Sequence, residues 1–405
     1  MPAHVQEWLN LLVRWVHVIA AIMWIGDSFL FMWLDSHLSK PLRQREGDVV
    51  GELWMTHSGG FYEVVKRKSL GRDELPPRLY WFKWESYTTW ASGFLLLIIV
   101  YQLNGAALLV DPAVSSLTHG QAVALSLAIL PAAFGVYELL WRTPLASNQR
   151  AFGVVGLGLI TGLAWGLTQV FSARGAFLMV GATLGTVMAA NVFFRIIPAQ
   201  KHMLAMTREG KPVDASYGLR AKGRSIQNHY LTLPVLFTMV SNHFPSTYGH
   251  PLPWLVLALL VVFGAGLKYV MNHRTNTHPV AAGGTVLALA AVLYIARPVS
   301  SADAAALAYN DQPQVSFATV KAILDARCTT CHAARPSSPM FPAPPLGIAL
   351  ETPADIRRHA ERVFIRATAT KTMPLANLTG MTDEERALLG AWFAQGADVN
   401  ASGPV

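Results

Sequence analysis

Apolar residues gather into eight long runs across the first 300 residues: 9–34, 85–103, 120–141, 151–171, 175–196, 229–243, 253–271 and 280–297. A helix needs about 20 such residues to cross roughly 30 Å of hydrocarbon. The sixth run is the shortest and carries Pro234. The pattern predicts an all-α chain whose residues 1–300 form a polytopic bundle of eight transmembrane helices. Past residue 300 the pattern changes. Residues 301–315, with their lead-in from 298, read as a polar tether. Residues 316–405 read as a small all-α domain. A helix over 317–327 comes first, then a loop carrying Pro336, Pro339, Pro342, Pro344 and Pro345 that cannot be helical. An amphipathic helix over 352–369 opens at Thr352-Pro353, with proline in its first turn. Thr382-Asp-Glu-Glu385 is a capping-box signature for a last helix, with Leu388, Leu389, Trp392 and Phe393 on its apolar side.

Charge supports a membrane bundle. Stretches 35–83, 142–150, 197–228 and 272–279 hold most lysines and arginines of the first 300 residues, while 104–119, 172–174 and 244–252 hold only Arg174. Positive loops stay cytoplasmic, so the two sets alternate as eight spans require, and both termini fall outside. The sequence pI of 9.5 then belongs to cytoplasmic loops, and no nucleic-acid partner is expected. The first run is too long for a cleavable leader and lacks a basic start, so it is expected to stay as a helix. Gly158, Gly162 and Gly166, and likewise Gly181 and Gly185, are spaced to let helices pack closely.

Both cysteines of the chain lie in Cys328-Thr-Thr-Cys331-His332. This C-x-x-C-H is the attachment pattern of a c-type heme. The thiols add across the vinyl groups and His332 becomes an axial iron ligand. With no other cysteine, a disulfide framework and Cys-ligated iron–sulfur clusters are excluded. Met373, in the loop before the last helix and stiffened by Pro374, is the expected second axial ligand. Met381 and His359 are its rivals, and Met340 is too near His332 in the chain to reach the opposite face. Covalent heme attachment takes place outside the bacterial inner membrane, on the side that the charge pattern assigns to the C-terminus.

Ionisable groups inside apolar runs are costly and point to function. Arg14 and His17 share a face of the first run, and Asp27 lies about 15 Å further in by helical rise. His57, beside Ser58-Gly59-Gly60, falls on the cytoplasmic side, as do Lys83 and Glu85 at the start of the second run. Asn191 and Arg195 close the fifth, and Gln227, Asn228 and His229 open the sixth. Aromatic belts and helix caps explain each alone, but not their gathering on one face. His17, His119 and His243 fall in the outer half. A non-covalent heme b held by two of them, or by His57 and His229 nearer the cytoplasm, is a further candidate, since two-electron oxidation overfills a single heme and the electrons have a membrane to cross.

With Trp54-Met-x-His57-Ser-Gly-Gly-Phe-Tyr62, Trp81-Phe-Lys-Trp-Glu-Ser-Tyr-Thr-Thr-Trp90, Asn228-His-Tyr-Leu-Thr-Leu-Pro-Val-Leu-Phe237, Ser241-Asn-His-Phe-Pro245 and the heme motif, the chain resembles the bacterial membrane-bound urate hydroxylases, the cytochrome c urate oxidases. The resemblance runs over essentially the whole length. It implies eight transmembrane helices joined to a periplasmic cytochrome c domain in the inner membrane. It also implies conversion of urate to 5-hydroxyisourate without peroxide, with electrons leaving to a cytochrome c or terminal oxidase. A site for a flat anion calls for a cation, amides, an aromatic face and a base. Asp27, His57, Lys83, Glu85, Arg195, Asn228 and His229 are the candidates. Two other readings stay open: a non-catalytic membrane anchor presenting a cytochrome, and a transporter fused to one.

Overall fold

A computed structural model describes residues 3–103, 108–273, 276–297, 301–309, 311–341 and 343–402. The chain is mostly helical. The helices that matter here are α1 (Ala3–His37), α2 (Trp84–Leu96), α3 (His119–Trp141), α4 (Gln149–Thr168), α5 (Ala173–Asn191), α6 (Ile197–Arg208), α7 (Ala215–Ser241), α8 (Pro245–Tyr248), α9 (Pro253–Asn272), α10 (Pro279–Ile295), α11 (Ser301–Tyr309), α12 (Phe317–Arg327), α13 (Pro353–Arg358), α14 (Ala360–Val363) and α15 (Asp383–Ala394). Among the described residues five helical stretches are long and apolar enough to cross a membrane: His4–His37, His119–Trp141, Gln149–Thr168, Ala173–Arg208 and Pro253–Asn272. The fourth runs from α5 through a π-helical turn, Val192–Ile196, into α6. The second, sixth and eighth apolar runs also form helices, but α2 ends in a π turn at Leu97–Gln102, α7 carries Arg220, Lys222 and Arg224, and α10 has 17 residues.

Helix α5 is the axis of the bundle: it packs on α2, α3, α4 and α7, and its Ala176, Phe177, Met179 and Val180 are fully buried. Small residues set the closest approaches. A methyl group on Gly181 would collide with Thr238 of α7, and one on Gly266 of α9 with Thr285 of α10. Pro234, inside α7, is accommodated by Gly264, where an added Cβ would lie 3.0 Å from the proline Cδ. The expected packing role of Gly158, Gly162 and Gly166 is not seen: nothing lies within 4 Å of a Cβ placed there. Their face of α4 is open.

One element departs from the all-α expectation. Residues Val49–His57 (β1) and Gly60–Arg67 (β2) form an antiparallel hairpin with Trp54 opposite Glu63 and Met55 opposite Tyr62. Ser58 and Gly59, with φ of 51° and 77°, make the two-residue turn that matches strand twist. Glu52 is 1% exposed and accepts from Leu42 N and Arg45 Nε, both at 2.8 Å. Lys66 pairs with Asp35 at 2.5 Å, tying the hairpin to the end of α1.

A second apolar cluster, containing Val320, Leu324, Ile356, Leu389 and Trp392, gathers α12 to α15. Three of its helices start where expected: Ser316 caps α12, Thr352 caps α13, and Thr382 with Glu385 forms the capping box of α15. The single helix expected over 352–369 instead breaks at His359 into α13, α14 and a π-helical turn, Phe364–Ala369. The segment read as a tether is partly helical. Helix α11 packs on α15, and Tyr309 fills the space a side chain at Gly390 would need. Residues 298–300, the tether's lead-in, lie outside the described residues. Among the described residues the two clusters meet beside α8. Thr370 and Thr372 sit over Gly249, 2.9 and 3.1 Å from where its Cβ would be, and Leu375 packs against the bundle.

Candidate functional site

The polar residues singled out in the sequence separate into two clusters and several outliers. The first cluster joins α3, α5 and α7. Glu138 accepts from Arg195 and Arg224, each at 2.5 Å. Arg224 also reaches Asn191 Oδ1 at 3.1 Å and stacks over Trp141 and Tyr137, 4.2 and 4.9 Å from their centroids. The Asn191 amide donates to Tyr137 Oη and to Asn228 Oδ1, and Asn228 in turn donates to Met188 O at 2.9 Å. Tyr137 and Trp141 both donate to Gln227 Oε1. Arg195 and Asn228, both site candidates, are thus engaged in a network whose buried polar atoms all have partners.

The second cluster lies along α1 where it meets α2, α7 and α9. Asp27 is within electrostatic reach of Glu85 on α2. One residue on, Ser28 Oγ lies 2.9 Å from His229 Nδ1, and His229 Nε2 lies 3.1 Å from Asn272 Oδ1. An amide oxygen only accepts, so Nε2 carries the proton and Nδ1 accepts from Ser28. Both nitrogens of His229 are therefore engaged. Phe29 meets His229 edge-on at 5.9 Å, and Lys268 Nζ sits 2.7 Å from the centre of the Phe29 ring.

Most buried polar groups find a partner, and each exception calls for a reason. Among the described residues three buried side-chain atoms have none: Glu85 Oε2, Asn272 Nδ2 and the rotatable Thr183 hydroxyl. Two of the three belong to the second cluster. It offers an unpaired acceptor, an unpaired donor, a buried cation and an aromatic ring. Lys268, Asn272 and Ser28 escaped the sequence reading. A lone lysine late in the apolar run 253–271 was the available signal.

The outliers are plain. His57 is exposed at the hairpin tip, and Lys83 is the N-cap of α2 with Nζ 5.2 Å from the Trp84 ring. Arg14 pairs with Asn10 of its own helix at 3.0 Å. His17 turns to α2, where Nδ1 meets Thr89 O and Ser92 Oγ at 3.0 and 3.1 Å. His119 and His243 are exposed at the ends of α3 and α7. Among the described residues no contact is recorded between these three histidines.

At the end of α12, His332 N and Cys331 N both donate to Cys328 O, at 2.8 and 3.1 Å, so the three side chains share one turn. Burial, followed by the neighbouring Cys331, pushes the Cys328 thiol up to about 12. His332 Nδ1 lies 2.9 Å from Ile348 O, which orients the ring and leaves Nε2 free. A covalently held heme needs two thiols and an oriented imidazole on one turn, and these residues fit it. Met373 is half-buried on a pinned loop: its N–H reaches Arg366 O at 2.9 Å, and Arg386, 6% exposed, donates to its carbonyl at 2.7 Å. Met381 is packed in the apolar cluster at 3% exposure, and His359 caps α13.

Comparison with curated proteins and with solved structures gives no match. A family model does match. It is described as urate oxidase N-terminal and covers residues 3–299, which take in all of α1 to α10, the hairpin and both polar clusters. Over that region the chain belongs to the urate oxidase N-terminal family.

Proposed function

We propose that this protein is a membrane-bound urate hydroxylase that passes electrons to a covalent heme c rather than to oxygen. Residues 1–300 are the urate-oxidising membrane domain, 301–315 the connection, and 316–405 the cytochrome domain. The alternation of loop charge supports eight spans, with α2, α7 and α10 joining the five longer stretches. The cytochrome domain then lies on the periplasmic side of an inner membrane. Urate and water give 5-hydroxyisourate, two protons and two electrons, with the water oxygen bonded to C5. Cys328, Cys331, His332 and Met373 would hold heme c, which would supply one-electron acceptance and relay toward a cytochrome c or terminal oxidase.

The chain's own residues handle binding and protons. The seam of α1, α2, α7 and α9 is the substrate site. Glu85 and Asp27 are the bases for the attacking water and the urate N–H protons. The unpaired Asn272 Nδ2 donates to a ring carbonyl, and Ser28 holds His229 in a single tautomer. The observation that carries this reading is the pair of unpartnered buried atoms, Glu85 Oε2 and Asn272 Nδ2, inside the region that matches the family. A membrane anchor has no use for such groups, which only cost stability. The purified chain, given urate and an artificial one-electron acceptor without oxygen, is expected to reduce about two equivalents of acceptor per urate, and to form no peroxide in air. No reduction under these conditions would leave the anchor reading in its place.

A further inference from the structure

We infer that Lys268 is the counter-ion of the anionic substrate, holding it between α1, α7 and α9; this rests on the urate reading of the same seam. Lys268 is 1% exposed, so its ammonium cannot snorkel to water. No ion pair or hydrogen bond of Lys268 exists among the described residues, and its nearest recorded partner is the Phe29 ring. Asp27 and Glu85, the carboxylates of the seam, make no ion pair with it. The contrast with Arg224 is direct, since that buried cation has a carboxylate, an amide and two rings.

A buried charge without a partner costs stability and is kept where a ligand supplies the opposite charge. Lys268 and Asn272 are four residues apart on α9, so they share a face. Asn272 is anchored by its oxygen to His229, which leaves its unpaired amide N–H for the ligand. A cation and a neutral donor on one face, beside the Phe29 ring, match a planar heteroaromatic anion that carries a carbonyl next to its delocalised charge. The Phe29 ring attracts the ammonium when the site is empty, and an anion competes for the same Nζ.

The test is equilibrium dialysis of radiolabelled urate against the full-length protein, reduced beforehand so that nothing turns over. Xanthine near its own acidic range and neutral caffeine serve as companion ligands. Lys268→Met is expected to weaken urate binding on the order of 100-fold and to leave caffeine unchanged. Lys268→Arg should recover part of the affinity. The thermal midpoint of Lys268→Met should stay level or rise, because an unpaired buried charge has gone; a lysine with a purely structural role gives a fall. Wild type and Lys268→Met binding urate equally would overturn the inference while leaving urate as substrate. Wild type binding another anion but not urate, with that binding lost in Lys268→Met, would support the inference and overturn urate. Absence of any anion binding, or a Lys268→Met protein that is clearly less stable, would also overturn it.

Discussion

Arg224 and Lys268 are both buried cations, 6% and 1% exposed, and they show opposite solutions to the same problem. Arg224 is locked into a network that satisfies every buried polar atom in it. Removing its carboxylate leaves an uncompensated charge. Glu138→Ala is therefore expected to destabilise the bundle by about 3–5 kcal/mol, read as a lower thermal midpoint. Glu85 is different, because one of its oxygens has nothing to hold. Glu85→Gln keeps the shape and removes the base. We expect kcat for urate to fall by roughly 10²–10⁴ with the midpoint little changed. A large loss of stability with activity per folded molecule intact would make Glu85 a scaffold residue.

At the scale of elements, glycines of similar spacing do different jobs. Gly181 marks the contact of α5 with α7, and a side chain there meets Thr238. Gly181→Leu should prevent assembly of the bundle. Gly162 of α4 faces open space, so Gly162→Ala should be tolerated and should gain about 0.5–1 kcal/mol from helix propensity. Equal sensitivity of the two positions in a thermal assay would show that α4 has a partner helix. The hairpin makes a separate prediction about pH. Hydrogen bonds from the Leu42 backbone and then from Arg45 and Trp54 hold the Glu52 carboxyl below the usual range. A group with a depressed folded pKa stabilises above its unfolded value and loses that contribution as pH falls through the folded one. Protection factors of the amides in 49–67, measured against the intrinsic exchange rate at each pH, should thus be high at neutral pH and fall in acid. In Glu52→Gln they should be low at both.

For the whole molecule, the contact between the two apolar clusters matters most. The loop carrying Met373 rests on Gly249, next to Tyr248, whose ring meets Phe177 at 6.2 Å, and Phe177 meets Phe237 at 6.4 Å. Aromatic rings therefore run from the proposed heme ligand loop into the bundle. Gly249→Leu should push the loop away and slow heme reduction by urate, with the reduction potential unchanged. An unchanged rate would put electron entry elsewhere. Met373→Ala should abolish the weak sulfur-to-iron band at the red edge of the visible spectrum, while the heme stays attached through denaturing electrophoresis. If the band persists, Met381 is the ligand, and if the wild type shows no such band, His359 is. Acidified acetone extracts a non-covalent heme and leaves heme c attached, so it tests for the second centre that a two-electron oxidation calls for. Extractable heme would supply that centre, and its absence would leave heme c to take the electrons one at a time.

The sequence by itself determined the elements that rest on local physics. Apolar period and run length specify α1 to α5, α7, α9 and α10, and Thr382 to Glu385 starts α15 where the capping box says it must. The Cys328-to-His332 turn is equally local, since its three side chains are neighbours in the chain. The hairpin was also legible in principle, from Ser-Gly-Gly between two runs rich in valine and aromatics, but the dense charge around it reads as loop. Tertiary structure decided the rest. Which polar groups are satisfied depends on partners 33 to 201 residues away, as with Arg224 and Asn191 or Ser28 and His229. No periodicity carries that information. The same holds for Gly162 and Gly181, each in a four-residue glycine spacing and unlike in contact. It holds most of all for Lys268, whose significance comes from the ring above it and from the absence of a carboxylate beside it, both settled only when α9 packs against α1.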